Sequence, residues 1–99
     1  PSDIVSITDV INFMHHISLV DGPVRNTMLK TPLMDFITNI LVMDKFTESL
    51  MKNIKVTGGY VVGSINRFIT NIKMSGKYVM SSFINAAIVI NENYKTLSV

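Results

Sequence analysis

Asn53-Ile54-Lys55-Val56-Thr57-Gly58-Gly59-Tyr60-Val61-Val62-Gly63-Ser64-Ile65 recurs 18 residues later as Asn71-Ile72-Lys73-Met74-Ser75-Gly76-Lys77-Tyr78-Val79-Met80-Ser81-Ser82-Phe83. Seven of the 13 positions are identical and five of the others exchange like for like, so Gly59 against Lys77 is the one real change. Phe36-Ile37-Thr38-Asn39-Ile40 also returns in kind, as Phe68-Ile69-Thr70-Asn71-Ile72. The residues after each glycine decide the fold. Val61, Ile65, Phe68 and Ile72 are spaced 4, 3, 4, and Val79, Phe83, Ala86 and Ile90 repeat that spacing. Val62, Ile65, Ile69 and Ile72 are spaced 3, 4, 3. This is the period of an amphipathic helix.

The competing reading is β. Lys55 to Val62 is rich in β-branched residues around Gly58-Gly59 and looks like a hairpin, which would make residues 53–91 an antiparallel sheet in an α+β chain. Strict alternation fails soon after each turn, because Ile65, Phe68, Ile69 and Ile72 cannot share one side of a strand. The expected fold is therefore all-α: a compact bundle of five or six short helices with a turn-plus-helix unit used twice. A period of 18 residues is about five helical turns, so each unit is one helix and its turn, and the two should lie adjacent and antiparallel. The glycines are expected to end helices. Two units fall short of the three or so that a solenoid needs.

Working outward, Ser2 or Asp3 can cap a first helix reaching about Val20, with Ile4, Ile7, Val10, Ile11, Met14 and Ile17 on one face and Asp9, Asn12 and His16 opposite. Asp21-Gly22-Pro23 reads as a stop and a restart, Gly ending one helix and Pro entering the next, a short helix from about Pro23 to Lys30. Thr31-Pro32 signals a third start with Thr as N-cap. Leu33, Phe36, Ile37, Ile40, Leu41, Met43, Leu50, Met51 and Ile54 then share a face, while Asp44 falls on the apolar side and Phe46 on the polar side. A break near 44–47 is expected, with Asp44 capping a new helix. The last helix is apolar nearly all round from Phe83 to Ile90, the mark of a central buried element. Asn91 to Val99 reads as a frayed tail.

Ninety-nine residues suit a single domain spanning 1–99. Hydrophobic residues make up 47% and charged ones 16%, against about 25% charged in an average domain. Such a chain buries apolar surface against a partner or meets a membrane, and it is not disordered. The longest apolar run, Ala86 to Ile90, falls far short of the ~20 residues of a membrane span. The N-terminus lacks the basic and apolar regions of a signal peptide. It does not start with Met, as expected of a processed chain or an excised domain. Charge is uneven: residues 1–49 hold six acids against three bases, residues 50–99 one acid against six bases, and none of the acids lies between Ser49 and Asn91.

The chemistry that this sequence offers is sparse. There is no cysteine, hence no disulfide, thiolate nucleophile or Cys-based zinc site. His16 with Asp9 and Asn12 shares a helix face, but His15 and His16 point about 100° apart and cannot both face one ion. No serine sits in a strained Gly-x-Ser-x-Gly elbow; Gly63-Ser64 falls inside a helix, where small residues permit close packing. Pro1 as an N-terminal amine catalyst would need the head of a strand, whereas Ser2-Asp3 looks like a helix cap. Gly58-Gly59 with Lys55 nearby lacks the rest of a phosphate-loop signature. The expectation is a non-enzymatic chain with no cofactor and no metal.

Three binding classes fit such a chain. The foremost is a protein–protein interaction module that self-associates: seven methionines amid little charge give adaptable apolar surface, and the acidic and basic halves favour antiparallel or head-to-tail contacts. Its candidate surface is Phe36, Ile40, Met43, Met51, Val61, Ile65, Phe68 and Ile72. The second is a membrane-perturbing amphipathic protein or small toxin, using the acid-free segment 49–91. The third is a helix-turn-helix nucleic-acid-binding domain over Ile69–Asn85, with Lys52, Lys55, Arg67, Lys73 and Lys77 as anion contacts. For that class the pI of about 9.1 is borderline, and Ser82 stands where an apolar packing residue is usual.

Overall fold

The computed structural model describes residues 7–30, 32–56 and 58–95. They form six helices: α1 (Ile7–Leu19), α2 (Gly22–Met28), α3 (Leu33–Leu41), α4 (Asp44–Lys52), α5 (Gly59–Ser75) and α6 (Met80–Asn93). No strand occurs among the described residues; a single antiparallel bridge joins Ile54 to Tyr94. The chain is an all-α bundle, and the α+β alternative is not supported.

Helix α6 is central, as its apolar composition predicts. It buries Phe83, Ala86, Ala87, Val89 and Ile90 and packs against α1 and α5. Ala86 and Ala87 keep that side of α6 small, so the backbone of α1 can come close. Helix α1 meets it with Val10, Ile11, Met14 and Ile17. Phe83 is the aromatic hub, with the rings of Phe68, Tyr78 and Phe13 at 5.8, 5.9 and 6.4 Å. Edge and tilted contacts of this kind suit the ring quadrupole.

The caps expected at Ser2, Asp3 and Thr31 lie outside the described residues. Gly22 opens α2 instead of closing α1: Asp21 is the N-cap, its Oδ1 accepting from the Val24 N–H at 3.2 Å, and Pro23 sits in the first turn. The end of α1 is satisfied from outside, by Arg25, whose guanidinium donates to the Val20 carbonyl at 2.9 Å and the Ile17 carbonyl at 3.4 Å. A cation at this end also suits the helix dipole. The expected break between the third and fourth helices comes at Val42–Met43, where Met43 turns extended. It restores the phase of the apolar face, so that Phe46 and Leu50 go inward and Asp44 outward to the first turn of α4. Asp44 makes no cap; it pairs with Lys73 of α5 at 3.0 Å.

Two further expectations fail. The two copies of the repeated stretch do not adopt one structure. Gly76 is the left-handed C-cap of α5 (φ +75°), its N–H donating to the Ile72 carbonyl, whereas its counterpart Gly58 is the extended N-cap at the head of α5 (φ −62°). Asn71 to Ser75 is helical, while Asn53-Ile54 has already left α4. Tyr60 is exposed and Tyr78 half-buried. The same letters thus end a helix in one copy and start one in the other, because each meets a different neighbour. The tail is also not frayed where it is described. α6 runs to Asn93, Tyr94 is buried, and the Lys55 and Lys95 N–H groups donate to the Asn93 and Asn53 carbonyls at 2.6 and 2.7 Å. This clasp joins the connection that leads into α5 to the end of α6, and the Phe68–Phe83 contact joins the two helices themselves.

Candidate interaction surface on α3

Five of the eight residues of the candidate surface lie in this chain's own core. Ile65, Phe68 and Ile72 are buried, as are Val61 and Ile40 at its edge, and Met51 packs against it half-buried. The apolar face of α5 is thus occupied within the bundle. Phe36 and Met43 remain outside, 64% and 49% exposed, and Leu33 joins them at 41%. At 100° per residue Leu33, Ile40 and Phe36 fall on one flank of α3, beside the inward arc of Met34, Ile37 and Leu41; Met43 lies past the helix end, in the extended turn into α4. No charged residue lies on that flank. The sequence pattern places Leu33 and Phe36 on the buried face; they sit at the edge of a stripe wider than the core it meets.

On the other flank runs a concave surface between α3 and the α5–α6 turn. Its middle, about 570 Å³, is lined by Asp35, Thr38, Asn39, Gly76, Lys77 and Tyr78. The Tyr78 hydroxyl donates to the Leu29 carbonyl, which ties this turn to the segment before α3. Burial, and then the charge of Asp35, raise the Tyr78 hydroxyl above the ordinary tyrosine pKa. Nothing in the sequence pattern singles out these residues, because the turn and α3 come together only in the folded bundle.

The five cations do not form one face. All are exposed, but Lys52 ends α4, Lys55 lies in the α4–α5 connection, and Lys77 lies in the α5–α6 turn. Arg67 and Lys73 stand about 120° apart around α5, and Lys73 is engaged by Asp44. In a helix-turn-helix reading α6 would be the groove helix. It carries no Lys or Arg, and its exposed positions are Ser81, Asn85, Ile88 and Glu92. His16, Asn12 and Asp9 are exposed together on α1, and the His15 Nδ1–H donates to Asn91 Oδ1 of α6. Among the described residues, no cluster of three or more His, Cys, Asp or Glu could hold a metal ion, and no helix is long and apolar enough to cross a membrane. Gly63 is not a close-packing site: a Cβ there would meet nothing within 4 Å.

Compared with family models, curated proteins and solved structures, the chain matches none.

Proposed function

We propose that this protein is a non-enzymatic interaction module that self-associates through the uncharged flank of α3. The observation that carries the reading is the exposure of Leu33 and Phe36 on one side of the short helix α3, with exposed Met43 in the turn that follows it. Full burial of a phenylalanine side chain is worth about 1.5–3 kcal/mol, so the exposed part of each Phe36 contributes on the order of 1–2 kcal/mol when a partner shields it. A two-fold contact sets the same patch against itself. An α3–α3 contact therefore brings no like charges together, and the adaptable Met43 side chain can fill gaps beside the rings.

The alternatives draw less support. Membrane disruption would need the apolar faces of α5 and α6, which are packed into the core, so the bundle would have to open. Nucleic-acid binding needs a continuous basic surface to displace counterions, and the cations here are dispersed. Light scattering tests the reading: at tens of micromolar the mass should exceed that of the 11.1 kDa chain and approach twice that value. A clean monomer overturns it.

A further inference from the structure

The concave surface on the far side of α3 is longer than one depression. A second, about 440 Å³, is lined by Leu29, Lys30, Pro32, Met34, Asp35 and Tyr78. A third, about 290 Å³, is lined by Thr38, Asn39, Val42, Ile72, Lys73 and Gly76. Neighbouring depressions share Asp35 and Tyr78 at one junction, and Thr38, Asn39 and Gly76 at the other. They form one trough along the length of α3, about 13 Å at 1.5 Å per residue.

The two walls differ. The apolar surface of the floor comes from half-buried Tyr78 toward one end and half-buried Val42 at the other, with Met34 and Ile72 buried beneath. The wall made by residues 72–78 carries Lys73 and Lys77 and lies within the acid-free stretch from Ser49 to Asn91. Lys30 adds a third cation at the far end. The α3 wall instead presents Asp35, Thr38 and Asn39. Lys73 is already paired with Asp44, which leaves Lys77 and Lys30 as the cations that an incoming group would meet.

We propose that this trough binds a short amphipathic peptide segment of a partner protein, with its apolar side on the floor and a row of carboxylates along the Lys77 wall. Donor side chains on its other edge would face Asp35, Thr38 and Asn39. Complementary charge on two unlike walls fixes the direction of the segment as well as its affinity. This deepens the interaction-module reading by giving it a partner class, yet it uses the opposite side of α3 from the self-association flank.

The test is fluorescence anisotropy with a labelled amphipathic helical dodecapeptide, leucines along one face and glutamates along one edge, beside a probe with lysine for every glutamate. The acidic probe should bind at least 10-fold tighter than the basic one. Lys77→Glu should weaken the acidic probe about 10-fold, and Asp35→Asn should tighten it about threefold, with circular dichroism confirming that each variant folds. Phe36→Glu, on the other flank, should abolish the dimer and leave peptide binding unchanged, so the two proposals fail separately. No binding of the acidic probe up to 1 mM, equal binding of both probes, or no effect of Lys77→Glu overturns the proposal.

Discussion

Phe36 and Phe68 open the two copies of one pentapeptide, Phe-Ile-Thr-Asn-Ile, and the structure gives them opposite environments. Phe68 is 4% exposed and packs edge-on against Phe83; Phe36 is 64% exposed. Truncation to alanine should therefore separate them. Phe68→Ala empties a core site next to the aromatic hub, for which buried phenylalanines cost about 3–5 kcal/mol. Loss of the edge contact with Phe83 adds on the order of 0.5–1.5 kcal/mol, part of which those values already include. Phe36→Ala removes a ring that water already touches over most of its surface, and should change monomer stability by no more than about 0.5–1 kcal/mol. A domain of this size has a total stability of about 5–15 kcal/mol, so Phe68→Ala consumes a large share of it. The assay is urea denaturation followed by circular dichroism at 222 nm, at a concentration low enough to hold the protein monomeric. Two variants of similar cost, or Phe36→Ala the more damaging, would refute the assignment of inside and outside on which the α3 surface depends.

Four single positions give further expected outcomes. Gly63 sits inside α5 with open space at its missing Cβ, so Gly63→Ala should raise stability by about 0.5–1 kcal/mol through helix propensity. Gly76→Ala, at φ +75°, should lower it by about 1 kcal/mol, and thermal melts of the pair should shift in opposite directions. Thr47 Oγ1 is buried without a hydrogen-bond partner among the described residues; Thr47→Val keeps the shape and removes the orphan, and should be neutral or stabilising by up to ~1 kcal/mol in the same urea assay. Tyr78 holds its proton more tightly in the folded state, because of burial and Asp35. Its contribution is complete below the unfolded tyrosine pKa near 10 and is lost as pH rises through the folded value. Tyr78→Phe should cost about 1 kcal/mol at neutral pH, from the lost hydroxyl bond to Leu29, and should flatten the fall in stability at alkaline pH.

Much of the fold is legible in the sequence because helix period is a local property. The spacing of Val61, Ile65, Phe68 and Ile72 identifies α5 without knowledge of its neighbours, and Asp44 and Phe46 betray the break before α4 by standing out of phase. The limits are physical as well. A stripe of apolar residues shows which side of a helix faces inward but not how wide a core awaits it, so Phe36 and Leu33 look as buried as Ile37. Gly58 and Gly76 carry the same local signal; whether each opens or closes a helix depends on what packs beyond it. Gly22 after Asp21 is ambiguous in the same way until Arg25 is seen capping α1 from the far side. Tyr94 is held by Ile54, 40 residues away in sequence, and no local pattern announces a clasp of that span. The trough is a product of tertiary assembly alone.

The most direct test of self-association uses the absence of cysteine. Met43→Cys places a lone thiol in the turn at the end of α3, and Thr70→Cys places one on the exposed side of α5. Mild oxidation at tens of micromolar, read on a non-reducing gel, should give a disulfide-linked dimer with Met43→Cys, and Phe36→Glu in the same chain should suppress it. Thr70→Cys should remain monomeric. Equal cross-linking at both sites, or none with Met43→Cys, would contradict self-association through α3.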